Sequence, residues 1–239
     1  MGSRRLLCGD LERSAASTPW ERSADNSWWE PRTKTYPASD CLMPGDVLLF
    51  AALEPDPIGR LIERQQLLWG EEPEHARFTH AALYIGLDHL ICEAVPLGGV
   101  RYSTLDSRLD HFCCLVRRWP GLKPTQSERI ALEAAGCLGW KYDWKGLWKA
   151  FRTHGPLLDG PGADRLVCSR LCDRAITRAL LSERFGCDDP VFHSKSPFPT
   201  PATLSRTPKL VDVETGWRLV GSGGGGPSWR AGGDRPNQS

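Results

Sequence analysis

The sequence predicts an α+β fold, a mainly antiparallel sheet packed against helices. Three observations carry that expectation. Apolar runs of strand length recur through the middle of the chain, at residues 47–50, 80–86, 90–95 and 112–116. Two of them are separated by only a few residues, the spacing of a hairpin. Further on the period changes: Cys168, Leu171, Cys172, Ala175, Ile176, Ala179 and Leu180 form one continuous apolar helical stripe.

Taken in order, residues 1–40 carry scattered Ser, Arg and Pro with Trp20, Trp28 and Trp29 and no apolar period. They read as a poorly ordered or wrapping N-terminal arm. Pro44-Gly45-Asp46 is a turn that launches the first strand. Ile58, Leu61, Ile62 and Leu68 fall near helical spacing, which predicts a short helix over 58–69. Residues 80–86 and 90–95 form the hairpin, with Leu87-Asp88 as a two-residue loop. Thr125-x-x-Glu128 after Pro124 has the form of a capping box and opens a helix over 126–138. Residues 141–165, rich in Trp, Gly and Pro, read as a long loop with some helix. Trp140, Trp144 and Trp148 recur every four residues, as on one helical face that packs against the core or, alternatively, forms a substrate groove. The striped helix follows, with Gly186 where a C-terminal cap belongs. Two late strands are expected at 210–213 and 217–220. Residues 221–239, opening Gly-Ser-Gly-Gly-Gly-Gly, read as a flexible tail, which leaves 41–220 as the folded domain.

Composition removes several function classes. Hydrophobic residues make up 40% of the 239, enough for a sizeable core. Thirty basic residues against 29 acidic ones, interspersed, leave a net charge of +1 and no basic stripe for nucleic acid. No apolar run approaches the roughly 20 residues of a membrane-spanning helix. Asp10, Glu12 and Arg13 interrupt what could have been a signal sequence, so synthesis in the cytoplasm is expected. Nine irregularly spaced cysteines argue for reduced thiols rather than a disulfide framework. Cys113-Cys114 and Cys168-x3-Cys172 lack a second pair at finger-like spacing, so neither a metal nor a cofactor is expected. Arg117-Arg118 reads as a solvated strand end.

The chemistry centres on Cys168, in the first turn of the striped helix. Unpaired N–H groups at a helix N-terminus favour a thiolate and can hold an oxyanion. The competing interpretation is a cysteine that merely packs, as Cys172 does one turn later. A thiol nucleophile needs an imidazole partner, and that partner needs an orienting group. Of the six histidines, His80 alone begins an apolar strand. With a Leu87-Asp88 loop, Glu93 pairs with Ala82 and shares a face with His80; a loop longer by one residue would turn it away.

These motifs together resemble a known family. Pro44-Gly45-Asp46, Thr79-His80-Ala81-Ala82-Leu83-Tyr84-Ile85-Gly86, Cys92-Glu93-Ala94-Val95 with Gly99-Val100, and Val167-Cys168-Ser169-Arg170-Leu171 are similar to segments of the circularly permuted papain-like hydrolases. The resemblance is to the YiiX-like branch of the NlpC superfamily, related to lecithin:retinol acyltransferase-like proteins. Tyr142-Asp143 and Pro201-Ala202-Thr203-Leu204 resemble two further elements of that family. The resemblance implies a nucleophile at Cys168, a histidine at His80 and an acidic third member at Glu93. Tyr142 is the candidate second oxyanion donor beside the Cys168 N–H. Arg170 departs from the family, which commonly carries an acid there.

The implied activity is a cysteine hydrolase cleaving amide bonds, with peptidoglycan peptides as the leading substrate. Such an enzyme, lacking a signal peptide, would reach the wall through a dedicated export machine or phage release, and a delivery or immunity partner stays open. Two alternatives are carried forward. The same triad serves a lipid or thioester acyltransferase or lipase, and the fold could also act as a non-enzymatic binding module.

Overall fold

The computed structural model describes residues 41–86, 89–109, 111–153, 164–181, 192 and 198–213, together with the strand segments 20–22, 29–31, 35–37 and 217–219. The architecture is α+β. The N-terminal segments are β1 (Trp20–Arg22), β2 (Trp29–Pro31) and β3 (Thr35–Pro37). The domain proper runs β4 (Val47–Ala52), α1 (Pro57–Leu68), α2 (Pro73–Ala76), β5 (His80–Tyr84), β6 (Leu90–Val95), β7 (Gly99–Thr104), α3 (Leu105–Leu109) and β8 (Phe112–Arg118). It continues through α4 (Pro124–Ala135), β9 (Lys141–Tyr142), α5 (Trp144–Thr153), β10 (Arg165–Leu166), α6 (Cys168–Leu181), α7 (Pro201–Arg206), β11 (Val211–Asp212) and β12 (Trp217–Leu219).

Six strands form one antiparallel sheet in the order β11-β8-β4-β5-β6-β7. The central strand β4 is apolar on both faces, and both are covered: Val47, Leu48, Leu49 and Phe50 are fully buried. Helix α6 packs against β5 and α4, and its stripe of Leu171, Cys172, Ala175, Ile176 and Ala179 lies in the core as its period predicts. The β5–β6 register pairs Ala82 with Glu93, as the hairpin reading requires. Residues 87 and 88, the expected loop, lie outside the described set.

Several local expectations need correction. Helix α4 starts earlier than the Thr125 box suggests. Pro124 occupies the first helical position, where its fixed φ and missing N–H cost nothing, and Gln126 Oε1 accepts the Lys123 N–H at 3.1 Å. The 141–165 stretch contributes a helix, α5, and a parallel two-strand pairing, with Leu166 beside Tyr142. Parts of the N-terminal arm are paired: β1 with β2, and β3 with β12. Arg117 is not a solvated strand end. It is buried, ion-paired to Asp212 at 3.0 Å, and donates to the carbonyls of Ser205, Thr207 and Leu210 at the end of α7 and in its following turn. Arg118 makes a bidentate pair with the buried Asp46, at 2.6 and 2.7 Å. Cys113 departs from the all-reduced expectation, being disulfide-bonded, whereas Cys41, Cys92, Cys114, Cys137, Cys168 and Cys172 are free. Spacing alone does not reveal such a bond. Gly186 and the 221–239 tail also lie outside the described residues.

One glycine positions the site. Gly99 has φ +65°, and a Cβ there would collide with the Trp140 carbonyl. That carbonyl accepts the Val100 N–H at 2.8 Å, and Gly139 N–H donates back to the Val100 carbonyl at 2.9 Å. These bonds dock the segment leading into β9, and hence Tyr142, onto β7. Gly99→Ala should therefore destabilise the fold by about 2–4 kcal/mol, combining left-handed backbone strain with a backbone clash. A urea midpoint within error of wild type would refute that.

Candidate active site

Each proposed residue is delivered by a separate element. The sequence from Leu166 enters α6 through Val167, whose carbonyl accepts the first intrahelical bond from Leu171 N–H at 3.0 Å. The N–H groups of Cys168, Ser169 and Arg170 therefore open the helix without intrahelical acceptors. Cys168 lies there, 4% exposed. Its side chain hydrogen-bonds the His80 imidazole, which projects from the first residue of β5.

On its other side, His80 Nε2 donates to Glu93 Oε2 at 2.8 Å. With Nε2 so occupied, Nδ1 is the nitrogen left for the thiol. Phe50, directly opposite His80 in the β4–β5 ladder, stacks on the ring at a centroid distance of 5.9 Å. The imidazole is thus held by a hydrogen bond at each end and an aromatic face.

Glu93 is fully buried, and its two oxygens have different tasks. Oε2 accepts from His80, while Oε1 accepts from Ser103 Oγ and Arg108 Nη2, each at 2.6 Å. Arg101, opposite Glu93 in the β6–β7 ladder, reaches the same oxygen at 3.4 Å. Burial alone would raise the carboxyl pKa. The hydrogen bonds from His80, Arg108 and Ser103 outweigh it and hold Glu93 far below the usual carboxylate range, as an anion.

The histidine shifts the opposite way. Burial would lower its pKa, but the hydrogen bonds and charges of Cys168 and Glu93 raise it from 6.5 to about 9. An imidazolium is the form of His80 that this favours at neutral pH. Burial pushes the Cys92 thiol up to about 12 and also raises those of Cys114 and Cys172.

Tyr142 is buried, and its backbone lies beside Leu166, two residues before the cysteine. Burial, Cys168 and Asp143 all raise its phenol pKa, so it remains an O–H donor at neutral pH. Asp143 caps the next helix, its Oδ1 accepting the Gly146 N–H at 3.0 Å. All four residues expected from the sequence, Cys168, His80, Glu93 and Tyr142, therefore belong to one locus. His154 and His193 lie outside the described residues.

Sequence reasoning missed Phe50, Ser103, Arg101 and Arg108. A signal for Arg101 and Ser103 was present: the Gly98-Gly99 turn after Val95 extends the meander, and alternation then puts both on the face of Glu93. Arg108 arrives from α3, a one-turn helix without usable periodicity.

An apolar groove of about 260 Å³ lies between α1 and α5. Ile58, Leu61 and Ile62 of α1 form one wall, and Trp144, Trp148 and Phe151 of α5 the other. Each wall has a contact close in sequence or space to one of the candidate residues. Gly59 of α1 lies against Thr79, the residue before His80, whose Oγ1 would be 3.7 Å from a Cβ on Gly59. The Trp144 ring packs on Tyr142 at 5.1 Å. Metal donors are a separate matter: among the described residues, Glu72, Glu74 and His75 are the cluster able to hold an ion. His75 Nδ1 there is already hydrogen-bonded to Ser205 Oγ at 2.8 Å.

No family model matches the chain, and a comparison with curated proteins finds no match.

Proposed function

We propose that the chain is a cysteine hydrolase of the permuted papain-like kind, cleaving amide bonds through an acyl-enzyme on Cys168. The observation that carries this reading is the His80 ring, hydrogen-bonded to Cys168 on one side and to the buried Glu93 on the other. In the resting state the proton is on His80, and the sulfur is a thiolate. The sulfur attacks the carbonyl carbon, and the carbonyl electrons move to oxygen. The Cys168 N–H and the Tyr142 O–H are the donors for that oxyanion. As the tetrahedral centre collapses, the C–N bond breaks and His80 gives its proton to the departing amine. Water then attacks the thioester, His80 takes its proton, and the acid leaves as the thiolate reforms. Glu93 keeps the ring in orientation and stabilises the imidazolium throughout. Peptidoglycan peptides are the leading substrate class.

The lining of the groove favours a second reading. A peptide needs polar anchors, whereas walls of aliphatic and aromatic side chains suit an acyl chain. The same acyl-enzyme would then form from a lipid ester or thioester. Turnover of peptidoglycan stem peptides and of acyl thioesters by wild type and Cys168→Ala tests both readings. The expected result is hydrolysis of one class by wild type, reduced by at least about a thousandfold in the folded variant. Equal activity in both proteins, or none on either class, would overturn the enzyme reading and favour a binding module.

A further inference from the structure

We propose that the face formed by α5 and the exposed edge of α1 docks on the surface of an anionic lipid bilayer. This goes beyond the chemistry at Cys168 and stands whether or not that chemistry occurs. The sequence of α5, Trp-Lys-Gly-Leu-Trp-Lys-Ala-Phe-Arg-Thr, contains three cations and no acid. Its buried side, Leu147 and Ala150, seals the helix to the domain, so the outward side is committed elsewhere. Lys145, Lys149 and Arg152 are exposed and line one open concavity together with Trp144 and Trp148. Trp148 is 49% exposed, an unusual state for the largest apolar side chain.

The apolar side of the same face continues onto α1. Ile58 is 37% exposed, and Leu68, two turns beyond Leu61 on the same helical stripe, is 67% exposed. The groove between the helices lies directly behind this surface. Cations beside an exposed tryptophan and an apolar cleft match a membrane interface: the amines meet lipid phosphates, the indole sits at headgroup depth, and the groove admits an acyl chain. The groove walls offer a nucleotide base no hydrogen-bond acceptor and, with the Trp144 N–H donated to the Pro96 carbonyl, only the Trp148 indole as a donor, and a basic face disfavours pairing with a second copy of itself.

The test is flotation of the full chain with vesicles of phosphatidylcholine alone or with about one third phosphatidylglycerol. Binding should be about tenfold stronger or more on the anionic vesicles and should fall as salt rises. The double variant Lys145→Glu/Lys149→Glu should lose that binding by about tenfold or more, and Trp148→Ser should weaken it several-fold. Leu132→Ser, at an exposed leucine on α4, should bind as wild type does and so controls for surface polarity. All these positions are exposed, and unchanged melting curves would show that the variants fold. Cys168→Ala should bind unchanged, which separates this surface from any failure of the hydrolase reading. No vesicle binding, equal binding to neutral vesicles, or indifference to both α5 variants would overturn the proposal. So would a homodimer, seen by light scattering, that Trp148→Ser dissolves.

Discussion

His80→Ala should leave the chain folded while slowing alkylation of Cys168 at pH 6 by about two orders of magnitude or more. In the proposed mechanism the reactive sulfur depends on the imidazole it is hydrogen-bonded to, and alanine removes both the proton acceptor and the charge. The variant should also change how stability depends on pH. Burial opposes the imidazolium, yet Cys168 and Glu93 raise its pKa to about 9, above the ordinary 6.5. A group with a raised folded-state pKa stabilises the fold fully below pH 6.5, and that contribution is lost as pH climbs through about 9. The shift corresponds to on the order of 3 kcal/mol. Wild type should therefore melt on the order of 10 °C lower at pH 9.5 than at pH 6. In His80→Ala the slope over that window should largely disappear. A variant that alkylates at the wild-type rate would show that the histidine does not activate the thiol.

Glu93→Gln should be the more damaging change to the fold. A view limited to the His80 contact would expect glutamine to keep the hydrogen bond and much of the function. The surroundings of Oε1 argue otherwise. Ser103 and Arg108 donate to it at 2.6 Å while His80 donates to Oε2, so strong donors converge on both oxygens. Glutamine has one oxygen, and its NH₂ must face either His80 or the Ser103–Arg108 pair, donor against donor. The substitution also leaves the mostly buried Arg108 and the imidazolium without their shared anion. A loss on the order of 3 kcal/mol is expected, as when a buried ion pair is broken from one side. Arg101→Gln should cost far less, because Arg101 is half-exposed and reaches Glu93 only at 3.4 Å. Urea unfolding of the two variants checks this. Equal small losses would mean that Oε1 is not tightly held.

The contrast between the two oxygens of Glu93 also marks what the sequence could reveal. Alternation along two strands, plus one assumed hairpin register, was enough to pair Ala82 with Glu93. The i, i+3, i+4 stripe placed Cys168 at the start of a buried helix. Both inferences rest on periods that belong to the backbone. The Arg108 contact rests on none, because α3 spans Leu105–Leu109 and its residues meet Glu93 only through the tertiary path of the chain. The same limit explains Arg117, whose acceptors lie on α7 and its following turn, far along the sequence. Of the three tryptophans spaced by four, Trp144 and Trp148 lie on α5 while Trp140 precedes β9, and the spacing does not say which ring is buried and which is exposed.

The most direct test of the central claim is to trap the acyl-enzyme. The protein would be mixed with an activated short-chain acyl donor at pH 6, quenched in acid, and measured by intact and peptide mass spectrometry. The account predicts one acyl group per chain, on the peptide containing Cys168, absent from Cys168→Ala and strongly reduced in His80→Ala. An adduct on the partly exposed Cys41 instead, or no adduct on Cys168 in the folded wild-type chain, would contradict it.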